Sequence, residues 1–246
     1  MSVNFVELGI ENKPTLIMIH GAGGSSATWF LQLKNLSTKL HTMAVDLNGH
    51  GDSKDRHESP IVDSYLDDIQ EVRSQIEKPF LMGHSMGGAL SQLYALSNPN
   101  NLGGIILVST GARLRVHPMI FDLLDNNFDA YVESIEGYMF HKGANPKMIE
   151  ASRIEVRKCP PRIIKRDFEL CNEFDIMERV HDIAIPTLII VGKDDIMTPI
   201  RYAQFLHDKI PNSDLRVIPN AGHSVMLEQS KEFNRLVLEW IQNNSS

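Results

Sequence analysis

The sequence predicts an α/β fold: a doubly wound, mostly parallel sheet with helices on both faces. Short apolar runs of strand length recur along the chain, and segments with helical spacing separate them. Continuous apolar runs are typical of parallel strands that are buried on both faces. A repeated strand–helix–strand order implies right-handed crossovers. The predicted strands are 15–20, 42–46, 79–84, 104–109, 186–192 and 215–219.

Helical spacing fills the intervals between these strands. Apolar residues three or four apart predict helices over 29–40, 61–76 and 233–241. The longest interval contains no predicted strand. Its apolar residues keep helical spacing over 120–139, and further short helices follow on either side of a Pro-Pro pair.

This long interval is predicted to contain helices only, so it is an insertion between two strands and not a second sheet. We therefore predict one α/β core made of residues 1–111 and 185–246. Residues 112–184 are predicted to form a helical insertion between two strands of that core.

Composition narrows the class of function. The chain has 246 residues and a formal net charge of −7 at pH 7, so no electrostatic attraction to nucleic acid is expected. No apolar run approaches the ~20 residues that span a bilayer, and we expect no signal peptide, because the N-terminal residues lack a basic segment followed by an apolar one. Two cysteines, Cys159 and Cys171, predict no disulfide framework. We expect a cytoplasmic protein, monomeric or homodimeric.

A glycine-flanked serine stands at the end of the third predicted strand. In the stretch LMGHSMGGAL, Ser85 lies between Gly83 and Gly87 in the pattern G-x-S-x-G. A tight strand-to-helix turn strains the serine backbone and leaves no room for side chains at 83 and 87. It also lifts the hydroxyl to the carboxyl edge of the sheet, where open α/β sheets bind ligands. The alternative is a purely structural turn.

A serine hydroxyl is a weak nucleophile, so it needs a base, and the base needs an orienting group. In folds with this turn the chain order is serine, acid, histidine. The fifth predicted strand is followed by Asp194 and Asp195, and the sixth by His223. We predict His223 as the base, with both aspartates as candidates for the acid. The other glycine-flanked histidines are predicted to be turn or structural groups: His20, His50 and His84.

Five segments stand in a fixed order: HGAGG, DLNGHGDS, GHSMGG, VGKDDIMTP and AGHSVMLE. On these segments the chain resembles the α/β-hydrolase superfamily over nearly its full length. In that family the acid commonly lies three residues after the glycine and four before the proline. The resemblance therefore implies Asp195, by its distance from Gly192 and Pro199. It also implies that the insertion is a cap, or lid.

Acyl transfer builds negative charge on the substrate carbonyl oxygen, and two backbone amides usually hold that charge. One is the amide after the nucleophile, which belongs to Met86. The resemblance implies that the other is the amide of Ala22, in the HGAGG segment. A phosphate-binding loop is disfavoured, because neither of its common glycine patterns occurs at this strand end.

Apolar side chains near the predicted site suggest a pocket. We predict that Phe128 and Met139 of the insertion, with Val225 and Met226 after the histidine, line a hydrophobic, adaptable pocket. Plain packing is the alternative for each of them. The basic residues of 153–166 predict a solvated helix face, with an arginine that pairs with a substrate carboxylate as the alternative.

The sequence thus predicts a serine carboxylesterase that cleaves small to medium apolar esters through an acyl-enzyme intermediate. No suitably spaced metal ligands occur, so no metal and no organic cofactor is expected. A carbon–carbon bond or lactone hydrolase of the same fold is the first alternative. The carbon–carbon hydrolases generally carry a tryptophan shortly after the histidine, which HSVMLE lacks. A non-catalytic small-molecule receptor is the second alternative.

Overall fold

The computed structural model describes residues 3–245 and contains a seven-stranded sheet. The strands are β1 (Asn4–Leu8), β2 (Thr15–Ile19), β3 (His41–Asp46), β4 (Phe80–His84), β5 (Gly104–Val108), β6 (Thr187–Gly192) and β7 (Ser213–Ile218). Their order across the sheet is β1-β3-β2-β4-β5-β6-β7. Only β1 runs antiparallel to its neighbour. The predicted doubly wound, mostly parallel sheet is confirmed.

The described chain also forms helices between and after these strands. They are α1 (Phe30–Leu36), α2 (Ile61–Arg73), α3 (Met86–Ser97), α4 (Pro118–Asn126), α5 (Phe128–Met139), α6 (Pro146–Lys158), α7 (Pro161–Glu173), α8 (Ile200–Lys209), α9 (Val225–Glu228) and α10 (Ser230–Asn244). None of the helices within residues 3–245 combines the length and the apolar character that a bilayer crossing requires.

The side chains of successive strand residues pack alternately into two apolar layers, one on each face of the sheet. Ile17, Leu81 and Ile105 pack with the residues of α2, α3 and α8 on one face. Residues one position away, such as Met18 and Ile106, pack with α1 and α10 on the other. Side chains of a strand alternate between its faces. A central strand that is apolar at every position is therefore buried on both sides.

The insertion between β5 and β6 is helical throughout its long elements, α4 to α7. The continuous helical spacing predicted over 120–139 is divided in two at Asn127. This residue leaves the helical conformation, with φ −156° and ψ 76°, and its side chain accepts a hydrogen bond from the Ala130 amide. An asparagine that caps a helix start in this way favours a new helix over continuation of the previous one.

The insertion has its own small apolar cluster but is also anchored in the sheet layer. Tyr131, Val132 and Ile163 pack together between α5 and α7. Residues at the end of α7 and just after it, such as Leu170 and Phe174, pack in the apolar layer that the sheet shares with α2, α3 and α8. The division into a core of 1–111 and 185–246 and a separate unit of 112–184 stays a prediction.

Candidate active site

The turn between β4 and α3 holds Ser85 in a strained conformation. Its φ is 52° and its ψ is −111°, a region that residues with a side chain seldom occupy. The backbone is fixed on both sides: the Ser85 amide donates to the Val108 carbonyl at 2.9 Å, and the Thr110 hydroxyl donates to the Ser85 carbonyl at 2.8 Å. A Cβ at Gly83 would lie 2.0 Å from the Gly87 carbonyl oxygen, so this turn requires glycine there.

Asp195 lies just beyond β6 and is surrounded by donors. Its carboxylate accepts hydrogen bonds from the His223 ring at 2.9 Å, from the Thr198 amide and hydroxyl at 2.8 Å each, and from the Met197 amide at 2.9 Å. Burial alone would raise the pKa of Asp195. The charge of His223 and these hydrogen bonds outweigh burial and lower the pKa to about 2. The group is therefore a carboxylate at neutral pH.

His223 follows β7 and is 1 % exposed. Its Nδ1 lies on the Asp195 carboxylate, so this nitrogen carries a proton and Nε2 is the ring atom left for chemistry. Asp194 lies elsewhere: its carboxylate is about half exposed and lies 3.4 Å from Nδ1 of His141. Of the two candidate aspartates, the structure therefore brings Asp195 to His223.

His84 joins the serine turn to the His223 loop. Its Nε2 donates to the His223 carbonyl at 3.0 Å, and the two rings lie 4.8 Å apart between centroids. Burial, reinforced by the nearby His223, lowers the pKa of His84 to about 3, so this ring is neutral. Within residues 3–245 no hydrogen bond joins the Ser85 hydroxyl to His223. Such contacts are often long before substrate binds.

The two candidate oxyanion amides, those of Ala22 and Met86, donate no hydrogen bond to any described residue. Met86 is the first residue of α3, where backbone amides have no partner within the helix. The Ala22 loop lies against the serine turn, because a Cβ at Gly21 would lie 3.3 Å from the Ser85 Cβ. Both amides are therefore free to hold an anionic oxygen.

His20 fixes the start of this loop. Its Nδ1 donates to the Gly21 carbonyl at 2.8 Å, and its Nε2 accepts from the Leu47 amide at 3.2 Å. Both ring nitrogens are used in the neutral form. Burial and the nearby His50 lower the pKa of His20 to about 4, which keeps it in that form. The predicted turn role of His20 agrees with these contacts.

Glu228 is a supporting residue that sequence patterns did not single out. One carboxylate oxygen accepts from the Gly222 amide and the other from the His141 amide, both at 2.7 Å. The Ser224 amide adds a bond of 2.8 Å to the Met139 carbonyl. The end of α5 is thereby fastened on both sides of His223. No spacing rule connects a carboxylate to two amides in different loops, so only the fold could show this contact.

The four predicted pocket residues fall into two groups. Val225 and Met226 are fully buried in the apolar layer with α1 and α10, and this packing accounts for their side chains. Phe128 belongs to the insertion, where its ring stacks on Tyr131. Met139 lies beside the His223 loop through its bond to Ser224. Met139 is thus a residue of the insertion whose backbone contacts the His223 loop, and the pocket itself stays a prediction.

The basic residues of 153–166 pair with acidic residues, mostly on neighbouring elements, although Lys158 pairs with Glu155 of its own helix. Arg153 and Arg157 contact acidic residues of α5, and Lys165 lies 2.7 Å from Asp125 of α4. Arg162 and Arg166 both pair with Asp55. These side chains connect helices and loops, which fits a structural face. Within residues 3–245 no group of three histidine, cysteine or carboxylate side chains is arranged to hold a metal ion.

The sheet order, the strained serine turn after β4 and the Asp–His pair beyond β6 and β7 define this protein as an α/β-hydrolase. More narrowly, the chain belongs to the family described as serine aminopeptidase, S33, whose model matches residues 10–230. It is thus a member of a hydrolase family.

Proteins similar to this chain have names that describe several different activities. The chain is 30% identical to a proline iminopeptidase of Thermoplasma volcanium, covering 95% of this chain and 90% of that one. It is 26% identical to a putative carbamate hydrolase, RutD, of a Caulobacter species, covering 96% and 93%. Among solved structures, a thermophilic esterase is similar with a TM-score of 0.89 and 32% identity, covering 99% and 94%.

Proposed function

We propose that this protein is a serine carboxylesterase acting on small to medium apolar esters. The observation that carries the proposal is the pairing of His223 with Asp195 at 2.9 Å, at the same sheet edge as the strained Ser85 turn. This arrangement supplies a nucleophile, a base and an orienting carboxylate. The similarity to a solved esterase at 32% identity favours esters over other acyl substrates.

In the proposed reaction, Nε2 of His223 removes the Ser85 proton as the hydroxyl oxygen attacks the ester carbonyl carbon. The amides of Ala22 and Met86 hold the resulting oxyanion. Asp195 keeps the proton on Nδ1 and stabilises the imidazolium. The tetrahedral intermediate collapses, and the alcohol leaves with the proton from His223. Water, deprotonated by the same ring, then attacks the acyl-enzyme and releases the acid.

The insertion is proposed to act as a cap over this edge of the sheet. Met139, whose carbonyl accepts a hydrogen bond from the Ser224 amide, is proposed to contact substrate, and Phe128 is proposed to shape the more distant wall. The chain division proposed with it is a core of 1–111 and 185–246 around a cap of 112–184. Cellular location and oligomeric state stay predictions from the sequence.

Cleavage of an N-terminal proline amide is the second candidate. The family model and the proline iminopeptidase at 30% identity favour it. The same serine, base and oxyanion amides would serve, since amides and esters share a tetrahedral intermediate. Prolyl 4-nitroanilide, short-chain p-nitrophenyl esters, lactones and a vinylogous diketone form a panel that ranks the amide, ester, lactone and carbon–carbon candidates.

The first prediction concerns Ser85→Ala. We expect this change to reduce hydrolysis of p-nitrophenyl butyrate by about 10⁶-fold, as removal of a triad nucleophile does. Initial rates measure the loss. Ser97→Ala, at the exposed far end of the same helix, should keep the wild-type rate. A Ser85→Ala protein that still turns over the ester normally contradicts the proposal.

Covalent labelling of Ser85 distinguishes the proposed enzyme from a non-catalytic receptor with the same fold. The proposed enzyme should react once with a fluorophosphonate, at Ser85, and lose ester hydrolysis in proportion to labelling. Wild-type protein that binds esters but neither reacts with the phosphonate nor releases product would be a receptor.

A further inference from the structure

A fully buried carboxylate of the insertion lies behind the oxyanion loop, residues 20–24, which carries the Ala22 amide. Asp167 lies on α7 and is 0 % exposed. It accepts three hydrogen bonds: from the Gly23 amide at 2.8 Å, from Nε2 of His50 at 2.8 Å and from the Tyr65 hydroxyl at 2.5 Å. The donors come from three separate parts of the chain. One carboxylate therefore connects the insertion, the oxyanion loop, the loop after β3 and α2.

The Gly23 contact lies one residue from a candidate oxyanion donor. Gly23 has a φ of +66°, and a Cβ there would lie 3.0 Å from the side chain of Ile164, also on α7. The next amide, that of Gly24, donates to the Gly21 carbonyl at 3.0 Å. The amides of Gly23 and Gly24 are thus both engaged. The amide of Ala22 is left without a partner among the described residues.

We propose that Asp167 is a positioning residue for the oxyanion hole: by holding the Gly23 amide, it aims the neighbouring Ala22 amide at the substrate oxygen. This inference rests on the proposed hydrolase function. It adds that the hole is incomplete without a side chain from the insertion. Asp167 itself touches no substrate and acts through the loop.

A buried negative charge behind an oxyanion hole needs compensation, and the structure provides it. Burial alone would lower the pKa of His50, but the Asp167 charge and hydrogen bond raise it. Burial alone would raise the pKa of Asp167, but His50, Tyr65 and the Gly23 amide lower it. Arg166 adds positive charge beside them and donates to the Tyr65 hydroxyl at 3.0 Å. The carboxylate is thus held ionised and largely neutralised.

If Asp167 only held the insertion against the core, its removal would have different effects from those expected of a positioning residue. Lost docking lowers the amount of folded protein or weakens substrate binding. A misaimed oxyanion donor lowers kcat at nearly constant KM, because the donor acts most strongly in the transition state. A trifluoromethyl ketone analogue of the ester probes that state directly. Ser85 adds to its carbonyl carbon, the serine proton passes to His223, and the resulting oxyanion occupies the hole.

The deciding experiment compares Asp167→Ala and Asp167→Asn with wild-type protein. We expect Asp167→Ala to lower kcat by about 10- to 100-fold, somewhat less than removal of a whole oxyanion donor. Its KM should stay within about twofold, and its inhibition constant for the ketone should rise in parallel with the loss in kcat. Asp167→Asn keeps one oxygen for the Gly23 amide and should restore most of both values.

The matched control is Asp125→Asn on α4, which removes the exposed partner of Lys165 on α7 and should change neither value. A folded Asp167→Ala protein with wild-type kcat and ketone affinity overturns the positioning role. A change in KM alone overturns it as well. Wild-type protein that neither hydrolyses esters nor binds the ketone instead contradicts the proposed function, so the two failures are distinct.

Wild-type protein gives a second test, should Asp167→Ala fail to fold. In hydrogen-exchange NMR the Gly23 amide should be protected and should not respond to the ketone. The Ala22 amide should exchange faster in free protein and shift downfield in the complex. If Gly23 exchanges as fast as Ala22, or if Gly23 responds to the ketone in its place, the positioning role is wrong.

Discussion

The charge of His223 and several hydrogen bonds keep Asp195 ionised, and this has a measurable consequence for stability. The pKa of Asp195 is about 2 in the folded chain, below the value of about 3.9 for an unfolded aspartate. The ionised group therefore stabilises the folded state above pH 4. That contribution is lost as the pH falls through this window toward 2.

The prediction for Asp195→Asn follows from this window. Between pH 6 and pH 2.5, wild-type protein should lose roughly 1.5 kcal/mol of unfolding free energy more than the variant does. Urea unfolding followed by tryptophan fluorescence measures the difference at each pH. Asp194→Asn, whose side chain is half exposed and away from His223, should lose stability in parallel with wild type. Equal losses in Asp195→Asn and wild type would show that the carboxylate is not held ionised.

Single residues of the site differ in how far sequence could predict them. Ser85 and His223 each follow a strand, so strand order and local pattern predicted them, whereas the two aspartates after β6 were equal candidates until the family resemblance implied Asp195. Asp167 lies in a helix and accepts a hydrogen bond from the Gly23 amide, 144 positions away, and Glu228 accepts one from the His141 amide, 87 positions away. A carboxylate that binds backbone amides leaves no local pattern, because any residue supplies the amide.

Among the elements, α3 approaches the end of β2 very closely. A Cβ at Gly87 would lie 2.4 Å from the Ile19 carbonyl oxygen and 2.6 Å from that of His20. These oxygens belong to the backbone of β2 and of the residue that follows it, so displacing them would cost free energy. The helix that starts at the serine turn is therefore pressed directly against the strand beside it.

Gly87→Ala should destabilise the protein by about 3 kcal/mol or more, because the added carbon collides with backbone. Gly137→Ala is the matched change on α5, where a Cβ meets nothing within 4 Å. It should stabilise the protein by about 0.5–1 kcal/mol through better helix propensity. Thermal unfolding followed by circular dichroism measures both. Similar midpoints for the two variants would contradict the close approach of α3 to β2.

Element boundaries followed from the sequence where apolar runs were continuous. All six predicted strands occur, with ends shifted by no more than two residues. The predicted helix over 120–139 is divided at Asn127, where a hydrogen bond from the Ala130 amide to the Asn127 side chain starts a new helix. The spacing of apolar residues cannot reveal such a bond. The pocket prediction for Val225 and Met226 lacked similar support, since a short apolar helix can face either the core or a cavity.

At the scale of the whole molecule, the insertion and the sheet share one apolar layer. Leu170, Phe174 and Ile176 lie in the same cluster as Ile105 and Ile189 of the sheet. The oxyanion loop is tied to α7 as well. Shared burial of this kind favours cooperative unfolding, even though α5 and α7 also have a small cluster of their own.

Val132→Ala tests this coupling. Val132 is 0 % exposed within the cluster of the insertion, so the change should cost about 2 kcal/mol. We expect one urea transition, with ester hydrolysis and far-UV circular dichroism lost together at a lower midpoint. Val6→Ala, on the exposed face of β1, should leave the midpoint nearly unchanged. A separate early transition in Val132→Ala that leaves the sheet folded would show two independent units.

The Glu228 carboxylate has a consequence for how substrate enters. It steadies the residue before the imidazole with one oxygen and the end of α5 with the other. An outward swing of α5 would therefore pull on the same side chain that steadies the base. In the proposed cap, movement of α5 and displacement of the His223 loop are therefore coupled through Glu228.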